Sequence, residues 1–320
     1  METTGSRPPR RTALALGAAA VLGAVSMAGS AHAAPPGRQD RIPEDRTRED
    51  RGRETGIRRA LRALEAEHGA RLGVYAYDTG TGRVVRYRAD ERFPMCSVFK
   101  TLAVAAVLRD LDRDGEFLAR RIHYTQDDVD RSGYAPKTKD HVATGMTVEE
   151  LCGAAISYSD NTAANLLLTE LGGPQAVTDF CRSTGDDVTR LDRWEPELNS
   201  AEPGRETDTT TPSAIGRTYA RLVLGNALGR ADRARLTDWL LANTTSGERF
   251  RKGLPADWRI ADKTGGGKYA TNNDVGLGRP PGRSPVVLAV LTTKPEAGPD
   301  APADNPLVAK AAELVERHLR

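Results

Sequence analysis

From Ile57 onward the chain switches between two rhythms of apolar residues. Ile57, Ala60, Leu61 and Leu64 recur at three- and four-residue spacing, the stripe of a helix that buries one face. Leu72, Val74 and Ala76 recur at every second residue, which predicts a strand. Asp78-Thr79-Gly80-Thr81-Gly82 then reads as a turn into Val84-Val85. Residues 101–108 are apolar almost all round and predict a helix buried centrally. Thr147-Val148-Glu149-Glu150 is a capping box that opens another helix. Residues 161–171 predict a helix stopped by Gly172-Gly173-Pro174. Thr211-Pro212 supplies an N-cap with proline at the first helical position, and residues 233–241 predict a further helix. Strand patterns return at 258–261, 273–277 and 286–291, the second weakened by Gly276 and Gly278. Residues 307–319 form a terminal amphipathic helix. Strands at both ends around a helical middle predict one sheet built from both chain ends, with a helical lobe inserted between.

The first residues follow neither rhythm. Arg10-Arg11-Thr12 precedes an apolar run over 13–27, and Ala31-His32-Ala33 offers a small-x-small cleavage site. We therefore expect a signal peptide over 1–33 and a secreted protein. The run is too short and too rich in Ala and Gly for a membrane span. The arginine pair fits a twin-arginine export route, and equally the basic region of an ordinary signal. No cysteine follows the cleavage site, so no lipid anchor is indicated. Residues 34–55 are rich in Pro, Arg, Asp and Glu and are expected to be a disordered linker. The fold proper is expected over 56–320. Its sheet lobe is read as 56–90 with 243–320, and its helical lobe as 91–242.

Composition narrows the function classes. The net charge of the 320 residues is only +2, which demands neither nucleic acid nor an anionic membrane as partner. Aromatics are 5% of the chain, so Leu, Val, Ala and Ile must fill the core. The odd count of 3 cysteines, Cys96, Cys152 and Cys181, argues against a disulfide framework. The 5 histidines show no metal-ligand spacing, which disfavours a zinc hydrolase. No metal or cofactor is expected.

Four segments carry candidate chemistry. In Ser97-Val98-Phe99-Lys100, a lysine one helical turn after a serine shares its face. Partly desolvated, it can shuttle the hydroxyl proton. Alone this pair arises by chance in most long chains. Ser159-Asp160-Asn161 offers a hydroxyl to pass a proton and an amide to grip a carbonyl, though it is also a good helix-capping string. Lys263-Thr264-Gly265-Gly266-Gly267 offers a cation and a hydroxyl for a carboxylate, and glycines that let a substrate lie against the backbone; a glycine-rich hairpin turn is its plain alternative. In Trp194-Glu195-Pro196-Glu197-Leu198-Asn199, a glutamate beside an asparagine can activate a water, whereas an ordinary loop glutamate faces solvent.

In this order, Ser-x-x-Lys, Ser-Asp-Asn and Lys-Thr-Gly form the motif set of class A β-lactamases and penicillin-binding proteins. The sequence resembles the class A serine β-lactamases from about Ile57 to its end. The likeness includes Pro94-Met95-Cys96-Ser97, the run Tyr158-Ser159-Asp160-Asn161-Thr162-Ala163-Ala164-Asn165, and Glu195-Pro196-Glu197-Leu198-Asn199. The resemblance implies an α/β fold (an α+β sandwich) whose antiparallel sheet of about five strands is flanked by helices. It implies a monomer that needs no cofactor and hydrolyses small-molecule β-lactams. Ser97 would form the acyl-enzyme, with the N–H groups of Ser97 and Gly266 as oxyanion hole. Ser159 and Lys100 would relay the proton, and Glu195 with Asn199 would hold the deacylating water. The base for acylation would be Lys100, or Glu195 through a water. Lys263, Thr264 and an arginine would bind the substrate carboxylate. The usual arginine position matches Asn272, and Arg249 fits the family's alternative. Arg193 and Asp208 match the ion pair that closes the omega loop, Glu195-Pro196 the cis bond, and Tyr134 the aromatic at the pocket rim. Neither family disulfide is expected, because Val104 and Gly267 stand where partners of Cys152 and Cys96 would be. The nearest rival is a penicillin-binding D,D-peptidase, which lacks the deacylating glutamate. A silent binding module and a serine glutaminase are more distant readings.

Overall fold

The computed structural model describes residues 48–320, with side chains from Gly52 onward. The expected signal peptide and residues 34–47 of the expected linker lie outside the described residues. The linker expectation needs correction at its end. Helix α1 spans Arg48–Glu67, so residues 48–55 are helical. Arg and Glu are good helix formers, and extending a helix already anchored by Ile57, Leu61 and Leu64 needs no new nucleus.

Five strands form one antiparallel sheet: β1 (Arg71–Asp78), β2 (Val84–Tyr87), β3 (Arg259–Gly266), β4 (Asn272–Arg279) and β5 (Val286–Thr293). Their order is β2-β1-β5-β4-β3, so the N-terminal pair joins the three C-terminal strands at the β1–β5 pairing and β3 is an edge. β5 lies at the centre, and all eight of its residues are buried. Its alternation explains the unbroken apolar run. Val287, Ala289 and Leu291 join the core shared with the helical middle, whereas Val286, Leu288 and Val290 join the core under α1 and the C-terminal helix.

The helical middle comprises α2 (Phe99–Ala106), α3 (Val148–Ser157), α4 (Asn161–Leu171), α5 (Pro174–Ser183), α6 (Pro212–Val223) and α7 (Arg230–Leu241); α8 (Asn305–Leu319) closes the chain. Every residue of α2 is buried, as its all-round apolar character predicts. The Thr147 capping box is present, with Glu150 N donating to Thr147 Oγ1 (3.1 Å) and Thr147 N to Glu150 Oε2 (2.7 Å). Gly172 ends α4 in the left-handed region (φ 93°). The following Pro174 is more than a stop: it is the first-turn proline of α5, a helix the apolar pattern does not announce. α6 packs directly against the sheet, where Ile215 and Tyr219 meet its central core.

Two strand readings are sharpened. β3 runs through Lys263-Thr264-Gly265 to Gly266, because its ladder to β4 continues although Asp262, Lys263 and Thr264 break the apolar alternation. Gly276 and Gly278 do not weaken β4; close packing requires them. A Cβ at Gly276 would lie 2.3 Å from the Ala261 carbonyl oxygen, and one at Gly278 would lie 2.5 Å from the Trp258 ring. The first obstacle is backbone and cannot swing aside. Gly276→Ala is therefore expected to destabilise the fold by about 1–3 kcal/mol, read from the urea midpoint by circular dichroism. An unchanged midpoint would show that the two strands separate freely.

Candidate active site

The edge strand and the start of α2 set the geometry. A 3-10 turn, Cys96–Val98, leads into α2 and places Ser97 at its N-terminal end. There the backbone N–H groups converge with the positive end of the helix dipole. Cys96 holds this turn with a positive φ of 47°. A Cβ at Gly265 would lie 2.7 Å from the Met95 carbonyl oxygen, so the glycine is what lets β3 pack against the nucleophile turn. Because β3 is an edge strand, its outer backbone groups are available to an added strand or ligand.

One carboxylate oxygen lies at the centre. Ser97 Oγ donates to Glu195 Oε1 (3.2 Å), and Lys100 Nζ meets the same oxygen at 3.0 Å. The side chains of Lys100 and Glu195 are both fully buried. Lys100 Nζ also donates to the Ser159 carbonyl oxygen (2.7 Å), Asn161 Oδ1 (2.6 Å) and, at 3.5 Å, Ser159 Oγ. Helical spacing predicts direct pairing of Ser97 with Lys100. The structure instead joins them through Glu195. Burial holds the Lys100 ammonium below the ordinary lysine range, against the pull of Glu195.

Ser159 lies between two cations. It is the positive-φ turn residue (59°) between α3 and α4, and its hydroxyl accepts from Lys263 Nζ at 2.9 Å. Burial, reinforced by the charges of Lys100 and Arg249, lowers the proton affinity of Lys263 well below that of a free lysine. Asn161 is steered from its other end, with its Nδ2 donating to the Ser132 carbonyl oxygen (2.9 Å). Its backbone N–H donates to the Tyr134 carbonyl oxygen (2.8 Å), and the Tyr134 ring is half exposed.

The segment carrying Glu195 is held on several sides. Asn199 Nδ2 donates to Glu195 Oε2 (2.5 Å), and the Glu195-Pro196 bond is cis. Arg193 Nε donates to Asp208 Oδ2 (2.6 Å), while the backbone N–H groups of Asp192 and Arg193 donate to Asp208 Oδ1. Met95 N donates to the Asp208 carbonyl oxygen (3.0 Å), which ties this closure to the residue two before Ser97. Lys268 N donates to the Asn199 carbonyl oxygen (2.9 Å) across the mouth. Cys96, Cys152 and Cys181 are free and buried, and burial pushes all three thiols up.

Arg249 reaches the same strand from outside. Its Nη1 donates to the carbonyl oxygens of Gly265 (3.0 Å) and Asn273 (2.8 Å), and its Nε to Asn305 Oδ1 (2.9 Å). Its Nη2 lies 3.9 Å from the Cβ position of Gly266. Asn272 is buried and shares Asn305 Oδ1 (3.1 Å). The Thr264 hydroxyl pairs with that of Thr245 (2.5 Å).

Three residues were given no role from the sequence. Asn165 grips the Glu195 backbone at both ends, accepting from its N–H (3.0 Å) and donating to its carbonyl oxygen (2.9 Å). Its signal was its place one helical turn after Asn161. Thr245 and Asn305 carry no local signal.

A sequence model of the β-lactamase enzyme family matches residues 56–319. A β-lactamase from Streptomyces fradiae is 65% identical over 318 residues, 98% of each chain. The structure of the β-lactamase from Streptomyces albus G is similar with a TM-score of 0.81 and 67% identity, covering 82% of this chain and 98% of that one. A class A β-lactamase variant of the last common ancestor of Gram-negative bacteria is 52% identical, with a TM-score of 0.77 over 81% of this chain and 96% of that one. Fold and relatives together define a serine hydrolase. The chain belongs to the β-lactamase enzyme family, in its class A branch, whose activity underlies antibiotic resistance.

Asn165→Ala removes both clasps on the Glu195 backbone. Amide exchange at Glu195, followed by mass spectrometry, is expected to quicken by about tenfold or more. Unaltered exchange would mean that the ion pair and Asn199 hold the segment without it.

Proposed function

We propose that the protein hydrolyses the lactam amide of penicillins and cephalosporins through an acyl-enzyme on Ser97. The observation that carries this is the shared Glu195 Oε1, which accepts from the nucleophile and contacts the buried lysine. Ser97 Oγ attacks the lactam carbonyl while its proton passes to Glu195. The backbone N–H groups of Ser97 and Gly266 receive the oxyanion. Lys100 hands a proton to Ser159 and recovers one from Glu195, and Ser159 protonates the departing nitrogen as the C–N bond breaks. The 3.5 Å contact of Lys100 Nζ with Ser159 Oγ supports this route. Asn161 grips the substrate's amide carbonyl, and Tyr134 bounds the entrance. Lys263, Thr264 and Arg249 bind the substrate carboxylate, Arg249 supplying the charge that Asn272 cannot.

Deacylation reverses the roles. Glu195, held by Asn199, takes a proton from water; the hydroxide attacks the acyl carbonyl, and the ester bond breaks with the proton returned to Ser97. A penicillin-binding D,D-peptidase would stop at the acyl-enzyme, so Glu195 decides between the readings. A single chain supplies every group, which supports a monomer. The cleft is read as lying between the sheet lobe (56–90 with 243–320) and the helical lobe (91–242). The apolar run over 13–27 and the Ala31-His32-Ala33 site support secretion after removal of residues 1–33. Among the described residues no helix is long and apolar enough to cross a membrane.

Purified protein should turn over nitrocefin and benzylpenicillin many times. Glu195→Ala should lower turnover by about three orders of magnitude and leave a stoichiometric acyl-enzyme visible by mass spectrometry. A wild-type burst that stops at one equivalent would favour the peptidase. Arg249→Ala should raise KM by about tenfold with kcat little changed, the mark of a ground-state carboxylate contact. An unaltered KM would remove Arg249 from the binding site.

A further inference from the structure

A tyrosine that this mechanism does not use holds the far side of the nucleophile turn. Tyr219 lies in α6 and is fully buried, and its hydroxyl reaches the start of α2 at two points. Tyr219 Oη donates to the Val98 carbonyl oxygen (3.0 Å) and lies 2.8 Å from Thr101 Oγ1. Val98 and Thr101 are the residues that directly follow Ser97 and Lys100. They are one helical turn apart and share a face of α2, beside the face of the reactive pair. Val98 is also the N-cap of α2, so its carbonyl already serves the first turn of that helix. The phenol takes the remaining lone pair. The other side of the turn is held at Met95. Its N–H donates to the Asp208 carbonyl oxygen (3.0 Å), and its own carbonyl oxygen accepts from Asn273 Nδ2 (3.1 Å). Ser97 thus stands between two anchors, and Asp208 and Tyr219 come from one stretch of chain. The Thr211 cap, whose hydroxyl accepts from Ala214 N (3.2 Å), lies between them and fixes the start of α6.

A phenol has one proton to give, and a carbonyl oxygen can only accept. Tyr219 therefore gives its proton to Val98, and the Thr101 hydroxyl gives its own to the phenol oxygen. Among the described residues this is the one side-chain hydrogen bond that Thr101 makes. A buried threonine in a helix has another outlet, the carbonyl oxygen three or four residues back. For Thr101 these oxygens belong to Val98 and Ser97, so either bond lands on the nucleophile turn. We propose that Tyr219 is a positioning residue for the nucleophile. Its hydroxyl anchors the Val98 carbonyl and, by accepting the Thr101 proton, keeps that hydroxyl off the backbone that carries Ser97.

The proposed chemistry depends on that backbone twice. The Ser97 N–H is one of the two oxyanion donors, and Ser97 Oγ must stay aligned on Glu195 Oε1, 3.2 Å away. The turn that presents both is strained, because Cys96 holds a φ of 47°. Such a conformation persists only while its surroundings enforce it, so the loss of one anchor gives the turn a way to relax. A bond from Thr101 back to the helix start bends the first turn of α2 and favours that relaxation. Burial holds the Tyr219 phenol well above the ordinary tyrosine range, against the hydrogen bond from Thr101, so it stays a donor to Val98 at neutral pH.

The test compares the wild-type protein with Tyr219→Phe, Thr101→Val and the double variant, and its kinetic arm rests on the acyl-enzyme route proposed for Ser97. Tyr219→Phe removes one oxygen and keeps the ring in the core. Thr101→Val keeps the shape and removes the hydroxyl. Tyr219→Phe should lower kcat/KM for benzylpenicillin by about tenfold. Thr101→Val should stay within about threefold of wild type, and the double variant should recover to within about threefold of Thr101→Val, because no hydroxyl is left to bond back. Urea midpoints are expected to fall in both variants that lack the phenol oxygen, so a merely structural role would lower activity in both alike. A crystal structure of Tyr219→Phe should show Thr101 Oγ1 about 3 Å from the carbonyl oxygen of Ser97 or Val98. Unchanged kcat/KM in Tyr219→Phe, no recovery in the double variant, or a loss beyond about threefold in Thr101→Val each overturns the proposal. So does a Tyr219→Phe crystal in which the Thr101 hydroxyl has not turned. The Thr101→Val arm stands even if Tyr219→Phe does not fold. If the wild-type protein hydrolyses no β-lactam, the proposed function fails, while the orientation of Thr101 still tests the clamp.

Discussion

The site depends on keeping a lysine and a glutamate side by side out of water. Lys100 and Glu195 are fully buried and 3.0 Å apart. Removing two charges from water costs more than their attraction returns unless further hydrogen bonds complete both groups. Here they do. Lys100 is completed by the Ser159 carbonyl oxygen and Asn161, and Glu195 by Ser97 and Asn199. The groups that complete the pair are the ones proposed to handle substrate and protons. The requirement to stabilise buried charge and the requirement to organise chemistry are met by one set of contacts.

Holding that set together places unusual demands on the backbone. Cys96, Ser159 and Asp208 are non-glycine residues with positive φ, at 47°, 59° and 58°. One precedes the nucleophile, one stands between the lysines, and one anchors the segment carrying Glu195. Such conformations persist only where the surroundings over-determine them. Met95 N to the Asp208 carbonyl oxygen and Lys263 to Ser159 are the bonds that do so for two of these turns. The strain therefore sits where elements from distant parts of the chain meet.

The sheet contributes through what it omits. Gly265 brings β3 against the nucleophile turn, and Gly276 brings β3 and β4 together. The central strand, buried on both faces, links the core beneath the helical middle to the core beneath α1 and α8. A displacement of β3 is thereby felt at Ser97, at Ser159 through Lys263, and at Arg249 through the Gly265 carbonyl oxygen.

Local chemistry was legible in the sequence, and so were most element boundaries that rest on it. The capping box at Thr147, the glycine stop at Gly172 and the buried rhythm of α2 are set by neighbours within a turn or two. The four chemical segments were legible as types of residue in an order. What only the tertiary structure decided was who touches whom. Ser97 and Glu195 are 98 residues apart, and their bond leaves no trace in apolar periodicity, which records burial and not hydrogen-bond partners. For the same reason the clasp of Asn165 and the sharing of Asn305 by Arg249 and Asn272 became visible only in the fold. Gly276 shows the limit most plainly. Its sequence signal, a glycine in a strand, was read as weakness; close packing against the Ala261 backbone of the neighbouring strand made it a requirement.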